Sequence, residues 1–408
     1  MKTGGAARAA AIGCAALAAS AAQEARAGAF HVREGSAAAQ GASFAGRTSG
    51  DRDVSFALTN PAAMRTVENR EISAGASGLL ILGEGELQGA PIPPFDSATE
   101  PGGFVAVPSF AAGYRINETV VVGVAVDAPF GLVTENDLDF IGAFDGVESD
   151  LATIALTPLI SIEPAPGFAF AFGPTIQYAD ATLTTLLPTG LEAEVEGDDI
   201  ALGFTAGALL DIGDSTTVGA AFAYGISHTL EGDFENFDLL GLTGAGEANL
   251  DLPFVFSIGA THGFTDDIRV MAEFEFVGWD AFEDITLTDT SSGKQEPQAE
   301  NYNNTVFVAL GGEYDLSDAL TLRGGVAYDQ TPTADAFRSV RVPDGDRYWV
   351  SVGASYAITE SIGVDAAYSY LHFEDSDVQL NNGPGQDRTV RYDNNATHIW
   401  SVNASYRW

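Results

Sequence analysis

Of 408 residues, 46% are apolar and 18% charged, with 46 Gly and 25 Phe, a composition too hydrophobic for a disordered chain. Acids outnumber bases 57 to 18, giving a net charge of −39, which argues against a nucleic-acid partner because such binding rests on basic side chains neutralising phosphates. Beyond the N-terminal residues no run is long and apolar enough for a helical membrane span, so the hydrophobicity must be placed in strands.

Residues 1–27 are expected to be a secretory signal peptide. Lys2 and Arg8 give a positive start, residues 9–22 an apolar core of small side chains, and Ala25-Arg26-Ala27 an A-x-A cleavage site before Gly28. Cleavage there removes three of the 18 basic and one of the 57 acidic side chains, leaving a net charge of about −41. Cys14 is the only cysteine and lies inside this segment, so the exported chain is expected to build neither disulfides nor thiolate metal sites. Ala11-Ile12-Gly13-Cys14 is a faint match to a lipoprotein cleavage box, with Ala in place of the usual aliphatic residue.

Residues 28–70 are rich in Gly, Ala and Ser, as in Glu34-Gly35-Ser36-Ala37-Ala38-Ala39-Gln40-Gly41, and have too little apolar bulk to fold alone. The rest of the chain, 71–408, reads as one barrel. Filling a barrel with its own side chains works near eight strands, and the count here is higher. The expected place for 28–70 is therefore a hatch inside the lumen, with a periplasmic tail as the alternative.

Short polar turns at Asn117-Glu118, Pro164-Ala165-Pro166, Asp214-Ser215, Asp266-Asp267, Ser317-Asp318 and Thr359-Glu360 alternate with longer acidic, Gly-rich stretches. Strands are expected at 71–82, 103–116, 119–130, 149–163, 167–182, 198–212, 216–230, 247–264, 268–279, 301–315, 319–330, 346–358, 361–374 and 395–408. The predicted fold class is all-β: a transmembrane antiparallel β-barrel of 14 strands, with an N-terminal hatch plugging the lumen. Alternation supports it, since neighbouring side chains in such a wall face lipid and lumen in turn. In the last segment His398, Trp400, Val402, Ala404 and Tyr406 are expected to face lipid, and Ile399, Ser401, Asn403, Ser405 and Arg407 the lumen. Aromatics at strand ends, such as Tyr348/Trp349 and Tyr406/Trp408, suit membrane interfaces.

An even strand count puts both barrel ends on the periplasmic side. The outward loops, 83–102, 131–148, 183–197, 231–246, 280–300, 331–345 and 375–394, hold most of the acid. They form either a solvated surface or a place where divalent cations bridge carboxylates to anionic lipopolysaccharide. Apolar runs interrupt them: Leu79, Leu82 and Phe95 in the first strand and loop, and Leu186 and Leu187 in the third loop, are candidate substrate contacts, together with Phe30 in the hatch. Packing of loop on loop is the alternative for these runs. Arg338, Arg341 and Arg347 form a conspicuous basic group in a chain poor in bases, and Arg338 and Arg347 are candidates to hold a carboxylate. In the third strand Pro129 removes a ladder donor and Gly123 lacks a packing side chain, which suits a kink or bulge, although Pro129 also suits a plain strand end.

The run 46–64, closing in Ala57-Leu58-Thr59-Asn60-Pro61-Ala62-Ala63-Met64, resembles the N-terminal hatch of the FadL/TodX outer-membrane hydrocarbon transporters, whose hallmark is an Asn-Pro-Ala triplet. Leu322-Arg323-Gly324-Gly325-Val326-Ala327-Tyr328-Asp329-Gln330-Thr331-Pro332, then Arg338 and Pro343-Asp344-Gly345-Asp346-Arg347-Tyr348-Trp349, is similar to that family's penultimate hairpins in residues and spacing. Ala128-Pro129-Phe130-Gly131-Leu132 and Gly278-Trp279 resemble further family positions. The resemblance implies an outer-membrane channel for passive uptake of hydrophobic molecules, long-chain fatty acids first, with aromatic or other hydrocarbons as the alternative. It also implies an apolar groove among the loops, a site beside the hatch and a sideways exit near a kink in the third strand. On that basis Asn60, Pro61 and Ala62 belong to the hatch, and Gly123, Pro129 and Phe130 to a lateral gate. The implied surroundings are outer-membrane lipid and lipopolysaccharide, around a monomer without cofactor or metal.

Two other classes remain. A hydrolase needs a nucleophile and base within hydrogen-bond reach, and His31, His228, His262, His372 and His398 form no recognisable motif. A general diffusion porin constricts an open lumen, whereas a hatch fills it.

Overall fold

The structure, a computed structural model, describes residues 29–237, 242 and 244–408. The expected signal peptide over 1–27 lies outside the described residues. Fourteen antiparallel strands close on themselves: β1 (Arg70–Leu87), β2 (Gly103–Arg115), β3 (Val120–Asp127 and Gly131–Glu135), β4 (Glu148–Ala165), β5 (Phe168–Leu186), β6 (Glu192–Ile212) and β7 (Thr216–Ala223 and Ser227–Glu235). The second half comprises β8 (Gly244–Asp251 and Val255–Gly263), β9 (Ile268–Val277 and Asp284–Asp289), β10 (Gln295–Ala299 and Thr305–Ser317), β11 (Leu320–Asp329), β12 (Arg347–Ala357), β13 (Ile362–Phe373) and β14 (Thr389–Arg407). Each strand pairs with the next, and β14 returns to β1 from Glu71↔Arg407 to Leu87↔Val390. Closure removes the sheet edges that lipid leaves without partners.

Alternation decides which face is which. Ile399, Ser401 and Asn403 of β14 are buried toward the lumen, while Trp400 and Val402 are 46% and 54% exposed on the outer wall. Val350 and Val352 of β12 and Val270 and Phe274 of β9 are likewise exposed beside buried Ser351, Met271 and Glu273.

Several strands run past their expected ends. β1 continues to Leu87, β6 begins at Glu192 and β14 at Thr389. Above the bilayer the outer face meets water, so Glu84, Glu86, Glu194 and Glu196 replace apolar residues. The ladder continues although the signature used to find it stops. Other strands are broken where continuity was expected: β3 after Asp127, β7 at residues 224–226, and β8 at residues 252–254 around Pro253; β9, expected to end at 279, instead resumes at Asp284 beyond the short 3-10 turn Trp279–Ala281. Residues 301–304, expected in β10, lie outside its strand segments.

The N-terminal segment fills the lumen as the hatch. Ser36 caps the one-turn helix α1 (Ala37–Gln40), Asp53 caps the 3-10 turn Val54–Leu58, and Asn60 caps Pro61–Thr66 with proline in the first turn. Wall glycines let the hatch backbone come close. A Cβ at Gly325 would stand 2.0 Å from the Ala42 carbonyl oxygen, and one at Gly219 2.0 Å from that of Thr48. Buried ion pairs add register: Arg33 meets Glu275 and Asp329, each at 2.9 Å, and Arg47 pairs with Glu275. Removing one member of such a pair leaves an uncompensated buried charge, costing roughly 3–5 kcal/mol.

Because the ladder closes on itself, with β14 paired to β1 along its length, the barrel is expected to stay folded in cold detergent and to shift its gel mobility on boiling. A protein of identical mobility before and after boiling, with a helical circular dichroism spectrum, would contradict the fold.

Candidate functional site

The upper parts of β4 to β9 turn their alternate apolar side chains inward above the hatch, leaving a cavity of about 820 Å³ of empty space, mouth included. Leu151, Leu183, Val195, Leu230, Phe234 and Leu250 supply its walls. Phe30 forms its floor. The Phe30 ring stands edge-on to Trp279 at 4.6 Å, to Phe282 at 5.2 Å and to Phe130 at 6.2 Å, arrangements that aromatic quadrupoles favour.

One pole of this cavity is polar. Arg341, Glu300 and Tyr302 line it. The Arg341 guanidinium donates to the Glu148 carbonyl at 2.6 Å, the Ser149 hydroxyl at 2.9 Å and the Thr184 carbonyl at 2.9 Å. Those bonds commit three of the five N–H groups an arginine carries. Among the described residues no carboxylate lies within ion-pair distance of it. Burial pushes Arg341 down to about 10, so it remains charged at neutral pH. The Tyr302 hydroxyl is buried without a hydrogen-bond partner among the described residues. Burial pushes the Glu300 carboxyl up to about 7, against the opposing pull of Arg341.

That value has a consequence for binding. Above pH 7 an ionised Glu300 competes for the Arg341 field, and below it the proton removes the competitor. Affinity for a carboxylate-tailed ligand is therefore expected to rise several-fold from pH 8 to pH 6. Glu300→Gln should flatten that dependence, as titration of bound fatty acid by isothermal calorimetry would read. The same shift means that folding holds a proton between the usual glutamate range and pH 7, so this group's contribution to stability declines as pH rises through that window.

A second cavity, about 1130 Å³ of empty space, lies beside the hatch and against the break in β3. The β2–β3 ladder runs only from Arg115↔Val121 to Phe110↔Val126, so residues 103–109 of β2 pair with β1 alone. Pro108 sits on that free edge, where its missing N–H costs nothing. Beyond the break β3 takes a different neighbour. Val32 N–H donates to the Pro129 carbonyl and Gly131 N–H to that of Phe30, both at 2.9 Å, so residues 30–32 stand in for β2. On the other side Phe130 N–H donates to the Thr153 hydroxyl at 2.9 Å. Val107, Pro108, Ala128, Pro129 and Phe130 line the second cavity, leaving a gap in the wall between β2 and β3.

The residues singled out from sequence fall in several places. Phe30 lies in the first cavity and Pro129 and Phe130 at the break. Gly123 does not: it pairs regularly with Gly113, and its missing side chain makes room for Met64. Asn60 is tied to β6, not to β3: its amide donates to the Thr48 carbonyl at 2.7 Å and the Ala208 carbonyl at 3.1 Å, and its oxygen accepts from Ala62 N–H at 3.0 Å. Pro61 and Ala62 follow it in the buried turn. Leu79 is buried against the hatch, and Leu82 is 46% exposed on the outer face. Phe95 packs on Phe144 at 5.3 Å, loop on loop, and Leu187 is buried beside the first cavity while Leu186 is half-buried away from its lining. Arg347 is spent on Asp329 and Asp344, each at 2.7 Å, and Arg338 on Asp335 at 2.8 Å and the Asp344 carbonyl. The arginine that reaches the cavity is the third of the group, Arg341.

A closed barrel with a plugged lumen, an apolar cavity on its outer side and a gap in its wall defines an outer-membrane transport protein for hydrophobic compounds. Residues 18–408 match the family described as outer membrane protein transport protein (OMPP1/FadL/TodX), and the chain belongs to it. It is 26% identical to the 47 kDa outer membrane protein of Pasteurella multocida over 94% of this chain and 95% of the relative. It is 24% identical to the long-chain fatty acid transport protein of Escherichia coli O6:H1, covering 87% of this chain and 89% of the relative. A crystal structure of a Pseudomonas aeruginosa FadL homologue superposes with a TM-score of 0.85 at 26% identity, over 93% of this chain and 99% of that one. The protein is accordingly placed in the bacterial outer membrane.

Proposed function

We propose that the protein takes up long-chain fatty acids, drawing them into the cavity above the hatch and releasing them sideways between β2 and β3. The observation that carries a fatty acid over a plain hydrocarbon is Arg341, a buried cation with uncommitted N–H groups at the polar pole of an apolar cavity. Arg pairs with carboxylates in bidentate geometry, and the unpartnered Tyr302 hydroxyl offers a further donor.

Magnitudes favour a sideways exit. Burial is worth about 0.8 kcal/mol per methylene, so a tail of about 15 methylenes gains on the order of 10 kcal/mol on leaving water. Release downward into the periplasm forfeits that gain. Release into lipid keeps it, because acyl chains surround the tail as the cavity did. Phe30 and Phe130 stand between the two cavities, so the hatch segment 30–32 must shift before the solute passes. In the same reading 1–27 is removed on export, 28–70 acts as the hatch of a monomer, and 71–408 forms the barrel, with lipopolysaccharide around it.

A second reading, uptake of small aromatic hydrocarbons, is favoured by Phe30, Phe234, Phe282 and Tyr302 in the cavity lining. Expression in a bacterium lacking its own long-chain fatty acid importer separates the two. Restored uptake of radiolabelled oleate, without a matching gain for toluene, is the expected result. Toluene uptake alone would establish the second reading, and uptake of neither would overturn both.

A further inference from the structure

The wall parts a second time, between β6 and β7. Their ladder runs from Ile212↔Thr216 to Thr205↔Ala223, stops, and resumes only at Asp198↔Glu231. A last backbone bond joins them past Thr205↔Ala223, from the Tyr224 N–H to the Phe204 carbonyl at 2.9 Å, and above it residues 199–203 of β6 and 225–230 of β7 face each other without pairing. The lower segment of β7 is 8 residues long, as is the lower segment of β3. Backbone groups facing lipid need partners from inside the protein, and here the upper end of the break is closed by side chains. The Asp199 carboxylate meets the His228 ring at 3.0 Å and accepts from Thr229 N–H at 3.3 Å, and the other His228 nitrogen meets Gln177 at 2.9 Å.

Lower down, the closure is apolar. Gly203 leaves a notch, and Ile226, only 6% exposed, sits in it: a Cβ at Gly203 would stand 2.7 Å from Ile226 Cδ1. The Ile226 carbonyl accepts from Leu252 N–H at 3.0 Å, so its backbone is held by β8 while its side chain makes no polar bond. The cavity beside the hatch reaches this point, because Thr205, Ile226 and Pro253 line it along with Pro129 on the opposite side. Outside, the break is rimmed by apolar and aromatic groups: Leu202 is 73% exposed, and Tyr224, 53% exposed, stacks on Phe204 at 5.1 Å.

Resting on the reading of the protein as a transporter of fatty acids, we propose that the β6–β7 break is a second lateral portal for the apolar tail of the solute, latched by the Ile226 side chain. One cavity then serves two openings into lipid. A rotation of Ile226 out of the Gly203 notch opens this one without breaking a backbone hydrogen bond. The polar bridge at Asp199 and His228 bounds the opening above.

Initial uptake of radiolabelled palmitate, at equal surface levels of heat-modifiable protein, tests the latch. Ile226→Ala is expected to at least double the rate and Ile226→Trp to at least halve it; a wild-type rate in either variant overturns the proposal. A measurement on the unaltered protein stands beside these. Palmitate carrying a diazirine at its tail is expected to label residues 200–204 or 224–226, and labelling confined to β2 and β3 overturns the portal. Absence of palmitate uptake by the wild type would instead remove the fatty-acid reading on which the proposal rests.

Discussion

Deleting residues 30–57 is expected to turn a closed barrel into a steadily conducting pore. The wall does not depend on this segment for its ladders, apart from the short pairing of residues 30–32 with the broken part of β3. The lumen does depend on it. Phe44 is fully buried and stands 5.6 Å from Trp349, and Arg33 and Arg47 neutralise Glu275 and Asp329 across the interior. Without them Glu273 and Glu275 are left facing an open lumen, which fills with water because an unpaired buried carboxylate is costly, while Asp329 keeps Arg347. Planar-bilayer recordings should pass from closed traces to long-lived, cation-preferring openings, while the gel shift on boiling persists. A deletion variant as tight to ions as the parent would show that the lumen is blocked by something other than the hatch.

Arg341→Ala is expected to weaken binding of a long-chain fatty acid about ten- to hundredfold, as loss of a charge-assisted bidentate contact worth roughly 1.5–3 kcal/mol implies. Binding of an alkane of equal length should change little, since the Leu151, Leu230 and Phe234 surfaces remain. The variant also loses the donors that tie loop 331–345 to the Glu148 and Thr184 carbonyls, so the alkane serves as the control for loop disorder. Equal losses for both ligands would mean that Arg341 is a strut and not a ligand-binding group.

Much of the barrel was legible because lipid on one face and hatch or water on the other impose a period of two over long runs, as in β14 and β12. Legibility failed where that contrast fades. Above the membrane the outer faces of β1 and β6 meet water while Leu87 and Val195 still face inward, so the acidic outer positions make Glu86 and Glu194 read as loop although they stand in ladders. The break in β3 was foreshadowed by Pro129, yet its replacement partner, residues 30–32, is a tertiary pairing that local sequence does not encode. Gly123 and Asn60 lie away from that break, each for a reason of packing. Gly123 is small because Met64 lies over it, and Asn60 serves its own turn and β6. Among the three clustered arginines, Asp335 neutralises Arg338 and Asp329 and Asp344 neutralise Arg347, and Asp329 lies 18 residues from Arg347 in sequence, in the preceding strand. The β6–β7 break left a weaker trace in Gly203, Gly225 and Pro253, residues equally at home in an unbroken barrel wall.

The most direct test of the fatty-acid account is a crystal structure with a sixteen-carbon fatty acid carrying bromine on its last carbon. The account predicts a carboxylate within hydrogen-bond distance of Arg341 and Tyr302, with the anomalous bromine peak deep among the cavity-lining apolar groups, toward Phe30 or beyond it in the second cavity. A bromine peak outside both cavities, or a carboxylate held by Arg338 or Arg347 with Arg341 untouched, would contradict it.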